Sequence, residues 1–190
     1  GAQSLAQGEP NVSVGRDGRL SGPQLVAALI KGLYDSGCHV SDIGLVPTPA
    51  LYYAANVLQG RTGVMLTGSH NPKDYNGFKI MIAGDTLANE QIQALHDRIK
   101  RNQLPAGKGS VSKVDILDLY AGQITNDVVL ARRLKVVVDC ANGAGYRVAP
   151  EVLYELGAEV IAIGTSPNGI NINDGYGATC PQRLRSEVIL

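Results

Sequence analysis

The sequence predicts an α/β protein in which helices cover both faces of a mixed β-sheet. Segments with helical periodicity alternate with strand-like segments along all 190 residues, a pattern typical of layered α/β architectures. The run 135–139 is strongly β-branched, as strands buried in parallel sheets are. We therefore expect a three-layer α/β/α first domain, followed by the start of a second domain built in the same way.

Composition and charge indicate an ordinary globular protein. The chain is 44% hydrophobic, and its 17 Lys and Arg residues balance 17 Asp and Glu residues. Because this balance creates no long-range field, neither nucleic acid nor a membrane surface is expected as a partner. The three cysteines, Cys38, Cys140 and Cys180, are odd in number and lack CxxC spacing, which argues against a disulfide framework or a zinc site. A cytoplasmic location is expected.

The predicted first domain covers residues 1–116. Short apolar runs bounded by Gly, Pro and Asn predict its strands, and 3.6-residue periodicity predicts its helices. The predicted strands are 12–14, 38–46, 63–66 and 77–82. The predicted helices run from the N-cap Ser21 to Gly37, from the cap Thr48 to Gly60, and over 89–102, with Ile92, Leu95 and Ile99 on one face of the last.

The predicted second domain covers residues 117–190. Residues 103–112, which contain Pro and Gly, resemble a linker before it. A helix over 117–130, a strand over 135–139, a helix ending at Leu156 and a strand over 159–163 follow. This order predicts that the second domain opens with a βαβ unit.

The loop that follows the predicted strand 63–66 concentrates reactive groups. Its sequence is Thr67-Gly68-Ser69-His70-Asn71-Pro72, and Lys79 follows on the next strand. Open α/β sheets place ligand sites at the carboxyl ends of their strands. Phosphoryl transfer through a serine needs a nearby acid or base and cations that neutralise the phosphate oxygens. His70 and Lys79 can supply these two needs.

The same loop, with Asp74-Tyr75-Asn76-Gly77-Phe78-Lys79 after it, resembles the active-site serine loop of the α-D-phosphohexomutases. The resemblance extends to Gly15-Arg16-Asp17-Gly18-Arg19-Leu20-Ser21-Gly22 and to Val46-Pro47-Thr48-Pro49. Over residues 9–140 the chain is similar to the bacterial phosphomannomutase/phosphoglucomutase enzymes. This resemblance implies an isomerase that interconverts hexose 1-phosphate and 6-phosphate through a phosphoserine and a bisphosphorylated sugar.

The resemblance also implies roles for individual residues. Ser69 would carry the phosphoryl group, His70 would act as an acid or base, and Lys79 would balance the phosphate charge. Asn71 and Arg19 would bind substrate or phosphate. A phosphoserine oxygen on Ser69 would complete a Mg²⁺ site, and glucose 1,6-bisphosphate would act as an activator. The family further implies a monomer that binds a hexose phosphate.

The chain departs from the family in two ways. The family's Asp-Gly-Asp-Gly-Asp-Arg metal loop, its sugar-recognition loop, its last domain and its N-terminal arginine motif are not in the sequence. We therefore expect a truncated chain that lacks the first strand and is inactive alone, and whose exposed sheet edges can pair with another copy. Residues 139–190, including Pro167-Asn168-Gly169-Ile170-Asn171-Ile172-Asn173, resemble phosphoglucosamine mutase instead, as in a chimera.

Other interpretations stay open at this point. Phosphoglucosamine mutase is an alternative activity, and a non-catalytic phosphosugar-binding or structural fragment is an alternative from another class. Asp139 and Asn142 follow a predicted strand, and closing the turn after it is their commoner role. The Asn-rich run 168–173 is most simply a loop that tolerates left-handed backbone.

Overall fold

The computed structural model describes residues 1–58 and 60–189, and its larger sheet confirms the predicted mixed topology. Within these residues the sheet contains β1 (Asn11–Arg16), β2 (His39–Leu45), β3 (Gly63–Leu66), β4 (Phe78–Ile82), β5 (Asp85–Thr86) and β6 (Ser110–Lys113). The strand order is β5-β4-β3-β1-β2-β6. β1, β2, β3 and β6 are parallel, whereas β4 runs antiparallel to both of its neighbours.

Helices cover both faces of this sheet. The helices are α1 (Ala2–Ala6), α2 (Gly22–Asp35), α3 (Thr48–Val57), α4 (Glu90–Lys100), α5 (Leu117–Asp127), α6 (Val148–Glu155) and α7 (Gln182–Ile189). Side chains alternate between the faces of a strand. In β3, Val64 and Leu66 pack in one cluster with Val26 of α2, whereas Met65 packs in the other cluster with Leu51 of α3. The three-layer α/β/α prediction is therefore confirmed.

The second part of the chain forms a small parallel sheet of its own. β7 (Lys135–Asp139) pairs in parallel with β8 (Glu159–Ile163), and α6 connects them, which confirms the predicted βαβ unit. Leu117 of α5 and Val148 of α6 belong to the same buried cluster as Leu51 of α3. The two sheets are separate but share this helix layer, and the boundary after residue 116 stays a prediction.

Four details differ from the sequence-based expectations. The linker-like stretch contains β6 from Ser110 onwards, because this segment hydrogen-bonds along the free edge of β2. Two residues of the expected apolar face of α4 are largely exposed, Ile92 by 47% and Ile99 by 65%. α3 begins at Thr48 itself, after an extended Pro47. Helix α7 lies outside the predicted elements, because its short sequence is mostly polar.

In the described part of the chain, no helix has the length and apolar character that crossing a membrane requires.

Two glycine substitutions test how tightly β6 is docked. A Cβ at Gly109 would lie 1.8 Å from the carbonyl oxygen of Cys38, whereas a Cβ at Gly122 in α5 would meet nothing within 4 Å. We expect Gly109→Ala to lower the free energy of unfolding by about 2 kcal/mol through overpacking. The matched variant Gly122→Ala should raise it by about 0.5 to 1 kcal/mol, because alanine is the better helix former. Urea denaturation measures both, and a neutral Gly109→Ala would contradict the docking.

Candidate active site

The Ser69 loop spans residues 67–77 and joins β3 to the antiparallel β4. The Thr67 amide donates to the Gly77 carbonyl at 2.9 Å, which closes the base of the loop. Ser69 lies near the tip, is exposed, and has a φ of 53°. Non-glycine residues rarely adopt this left-handed conformation, and where they do, the surrounding structure has to hold them there. The loop therefore presents its serine at the carboxyl end of β3 in a conformation that needs support.

Part of that support is a buried ion pair directly after β1. The Nε atom of Arg19 lies 2.9 Å from Oδ2 of Asp17, and both side chains are shielded from solvent, Arg19 completely. The Asp17 carboxylate also accepts hydrogen bonds from the Arg19 amide at 3.1 Å and from Oγ1 of Thr67 at 2.8 Å. Oγ1 of Thr67 in turn accepts the Ser69 amide at 2.9 Å. The ion pair is thus connected to the backbone of Ser69.

The guanidinium of Arg19 holds the other side of the loop. Its Nη2 donates to the carbonyl oxygens of Ser69 at 3.1 Å and Asn71 at 2.9 Å, and its Nη1 donates to the carbonyl of Pro72. A Cβ at Gly68 would lie 2.7 Å from Cζ of Arg19, so this close approach requires glycine. Arg19 is 0% exposed, so its side chain lies beneath the loop. The donors of Arg19 thus bind the loop backbone and Asp17, and its expected contact with substrate or phosphate stays a prediction.

The other predicted site residues lie around the loop. Ser69 and His70 both line a cleft of about 310 Å³ between the two parts of the chain. Asn71 is exposed; its backbone carbonyl accepts a hydrogen bond from Arg19, and its backbone amide donates to the Gly68 carbonyl at 3.0 Å. Lys79 is exposed on β4 directly opposite Met65, a residue of the cleft wall. The structure thus brings Ser69 and His70 to one cleft, and it places Lys79 on the adjacent strand.

The far wall of the cleft comes from the second part of the chain. Asp139 ends β7, and its carboxylate accepts the Ala141 amide at 2.8 Å and the Gly177 amide at 2.7 Å. Oδ1 of Asn142 accepts the Ser166 amide at 3.1 Å. Asp139 therefore closes the turn after β7, as the sequence favoured, whereas Asn142 joins this turn to a segment 24 residues further along the chain. With a volume in the range of small-molecule sites, the cleft can admit a sugar phosphate.

Two residues that hold the loop, Asp17 and Asn173, were not among the predicted site residues. Asp17 lies between Arg16 and Arg19 in a charged segment. The residue is buried, with 4% exposure, and this burial, which marks it as a structural residue, cannot be read from the sequence. Nδ2 of Asn173 donates to the carbonyls of Ser69 at 2.9 Å and Asn71 at 3.0 Å. No local pattern indicates a contact between residues 104 positions apart.

The described residues do not make up a complete metal site. In residues 1–58 and 60–189 there is no group of three or more His, Cys, Asp or Glu side chains that could hold a metal ion. Mg²⁺ prefers about six oxygen ligands, including carboxylate or phosphate oxygens. The Asp17 and Asp139 carboxylates already accept hydrogen bonds within the protein.

Cys140 also lines the cleft, but its thiol is not a ready nucleophile. Burial, with a smaller contribution from the charge of Asp139, raises the pKa of the Cys140 thiol to about 11. The thiolate is the reactive form of cysteine. At neutral pH the thiol therefore stays protonated, and Cys140 is a poor candidate for covalent chemistry in this cleft.

Comparisons with known proteins identify related sequences. A family profile described as "Phosphoglucomutase/phosphomannomutase, alpha/beta/alpha domain I" matches residues 1–106. A "Phosphomannomutase/phosphoglucomutase" of Pseudomonas syringae pv. tomato is 72% identical over 169 residues, covering 89% of this chain and 36% of the relative. The Pseudomonas aeruginosa protein of the same name is 62% identical, covering 97% of this chain and 40% of the relative. A "Phosphoglucosamine mutase" of Pelotomaculum thermopropionicum is 41% identical, covering 100% of this chain and 45% of the relative.

A solved structure agrees with these sequence matches. A phosphoglucomutase/phosphomannomutase family protein from Burkholderia thailandensis superposes with a TM-score of 0.89 at 39% identity, covering 97% of this chain and 42% of that one. The chain spans less than half the length of all these relatives. Relatives with both kinds of name align with nearly the whole chain. The extent of the alignments therefore locates no junction near residue 139, and the chimera stays a hypothesis.

Arg19→Lys tests the support of the serine loop. Lysine keeps the charge but lacks the fork that contacts three carbonyls and Asp17 at once. We expect the free energy of unfolding to fall by about 2 to 3 kcal/mol, because buried groups lose charged hydrogen-bond partners. The matched variant Arg16→Lys should cost less than about 1 kcal/mol, since Arg16 is half-buried and, among the described residues, its side chain donates to the Asp17 carbonyl alone. Equal losses in urea denaturation would contradict the special role of Arg19.

Alkylation as a function of pH tests the state of Cys140. With a pKa of about 11, about one thiol in a thousand is ionised at pH 8. Iodoacetamide should therefore modify Cys140 slowly, with a rate that rises about tenfold per pH unit towards pH 11. In urea-unfolded protein the midpoint should fall to about 8.5. Because only the unfolded chain loses the proton between these values, ionisation of this thiol lowers stability as pH rises from about 8.5 to 11. A midpoint near 8.5 in folded protein, measured by peptide mass spectrometry, would contradict this.

Proposed function

Because the chain belongs to the phosphoglucomutase/phosphomannomutase family, we propose that it carries the phosphoryl-transferring serine of a hexose-phosphate mutase. The observation that carries the proposal is the position of Ser69. This residue stands exposed at the cleft in a left-handed conformation, while buried side chains hold the backbone on either side of it. Such support is expected where a strained residue performs chemistry.

The proposed reaction moves a phosphoryl group in two steps. Phosphorylated Ser69 donates its phosphoryl group to a free hydroxyl of a hexose monophosphate. The P–O bond to the serine breaks and a P–O bond to the sugar forms, while the proton of the sugar hydroxyl passes to a base and the leaving serine oxygen takes up a proton from an acid. The resulting bisphosphate then returns its other phosphoryl group to Ser69. The net change is conversion of a 1-phosphate into a 6-phosphate, or the reverse.

The surrounding residues suit distinct parts of this reaction. His70 lines the cleft next to Ser69 and is the candidate acid or base. Lys79 adds a positive charge on the adjacent strand, where it can balance the charge of a phosphate. Asn71 presents an exposed side-chain amide that can contact substrate. We assign Arg19 to positioning of the loop, since its guanidinium is buried and bound to carbonyls.

Magnesium and a sugar bisphosphate belong to the same proposal. When bound, Mg²⁺ neutralises charge on the transferring phosphoryl group. Of the residues described, Ser69 would contribute one ligand through its phosphate, and a complete ligand set needs donors besides it. Glucose 1,6-bisphosphate would act by phosphorylating Ser69.

A second sugar is a specific alternative. The similarity to a phosphoglucosamine mutase covers the whole chain at 41% identity. The sugar is therefore assigned as a hexose phosphate of the glucose, mannose or glucosamine class. The remaining alternative is a phosphosugar-binding fragment that takes part in no transfer.

Phosphate uptake by Ser69 tests the proposed function. Purified chain is incubated with glucose 1,6-bisphosphate and Mg²⁺, and its intact mass is followed. We expect a gain of one phosphate, about 80 Da. Ser69→Ala should gain nothing. The matched control Ser186→Ala removes a hydroxyl on α7 that donates to the Gln182 carbonyl, and it should gain phosphate like the parent chain.

The outcomes separate the alternatives. Equal mass gain in the Ser69→Ala variant would refute Ser69 as the carrier. No gain in the parent chain would favour the fragment without transfer chemistry. Conversion of glucose 1-phosphate, which the sequence predicts to be absent from this chain alone, is measured on the same samples.

A further inference from the structure

Asn173 connects the second part of the chain to the serine loop. Its Nδ2 donates to the carbonyl oxygens of Ser69 at 2.9 Å and Asn71 at 3.0 Å. Nη2 of Arg19 donates to the same two oxygens. Each carbonyl has two lone pairs and so can accept both donors. The two carbonyls are therefore held from the first part of the chain by Arg19 and from the second part by Asn173.

The backbone of Asn173 is itself fixed to the small sheet. Its amide donates to the Ala141 carbonyl at 2.9 Å, directly beyond the end of β7. The carboxylate of Asp139, at the end of β7, accepts hydrogen bonds from the Ala141 and Gly177 amides. These two bonds fix the backbone near Asn173. Asn173 has a φ of 60°, a conformation that asparagine tolerates better than most residues. The side-chain amide is thus directed at the serine loop from a braced position.

We propose that Asn173 is a positioning residue for Ser69, so that the working shape of the serine loop depends on docking of the second part of the chain. The inference rests on the proposed function in taking Ser69 as the phosphoryl carrier. Asparagine tolerates a left-handed backbone conformation, which explains its presence at position 173. This tolerance does not explain the two hydrogen bonds from its side chain to the loop. The consequence is that a single contact joins the two parts of the chain beside the cleft and also orients the serine.

Asn173→Asp is the variant that isolates the hydrogen bonds. Aspartate has nearly the same shape and also tolerates a positive φ, but its ionised carboxylate cannot donate and would face two carbonyl oxygens. Asn168→Asp is the matched control, because it adds the same charge to the same loop. There Oδ1 accepts the Ile170 and Asn171 amides, and an aspartate keeps that acceptor.

Carbonyl carbon NMR on the labelled 190-residue chain provides the readout. The chemical shift of the Ser69 carbonyl, detected through the His70 amide, reports directly on hydrogen bonds to that oxygen. We expect this signal to move in Asn173→Asp and to stay in place in Asn168→Asp. The Thr67 and Asn71 amides, which close the loop internally, should exchange about tenfold faster in Asn173→Asp, the effect of losing one to two hydrogen bonds.

Each outcome decides the proposal. Amide signals of β7 and β8 that stay in place show that the variant is folded. A Ser69 carbonyl signal that does not move in folded Asn173→Asp overturns the proposal, as does an equal change in Asn168→Asp. If Asn173→Asp does not fold, Asn173→Gly replaces it, since glycine keeps the positive φ and removes the amide. None of these readouts requires phosphate uptake, so failure of the proposed function is detected separately by the mass experiment.

Discussion

The buried ion pair between Asp17 and Arg19 is the interaction on which the serine loop depends. Removing two charges from water is costly, and the cost is offset only when hydrogen bonds satisfy the remaining donors and acceptors. In this protein hydrogen bonds satisfy both groups, because the Asp17 carboxylate also binds Thr67 and the Arg19 guanidinium donates to the loop carbonyls. The pair follows β1, whereas the loop follows the neighbouring β3. One buried cluster therefore fixes the geometry between two strand ends.

This arrangement separates support from chemistry within a few residues. The amide of Ser69 is bound by Thr67, and its carbonyl is bound by Arg19 and Asn173. The same residue is exposed at the cleft. A backbone held at both its amide and its carbonyl can keep a left-handed φ while the side chain stays accessible. Catalytic groups need this kind of prior orientation, because small displacements of a reacting atom are costly in rate.

The sequence predicted what depends on local pattern. The strands 63–66, 135–139 and 159–163 were placed to the residue, since apolar and β-branched runs bounded by turn residues leave little ambiguity. It could not predict β6, because a polar segment becomes a strand there only by pairing with the edge of β2. The burial of Arg19 and the contact of Asn173 depend in the same way on residues distant in sequence. Motif resemblance predicted roles for Ser69, His70 and Arg19, but it gave no indication that Arg19 is buried beneath the loop, because a motif carries no information on burial.

The cleft belongs to both parts of the chain, and this constrains how such a site can be built. Residues of the first part carry the reactive hydroxyl, and the turn after β7 supplies the opposite wall. Turns such as this are usually the more mobile elements of a fold. Here Asp139 binds two of its amides, and the shared helix layer packs Leu117 and Val148 against α3. Because the wall is anchored through its sheet and its helices, a contact as small as one amide group can transmit the position of the second part to Ser69.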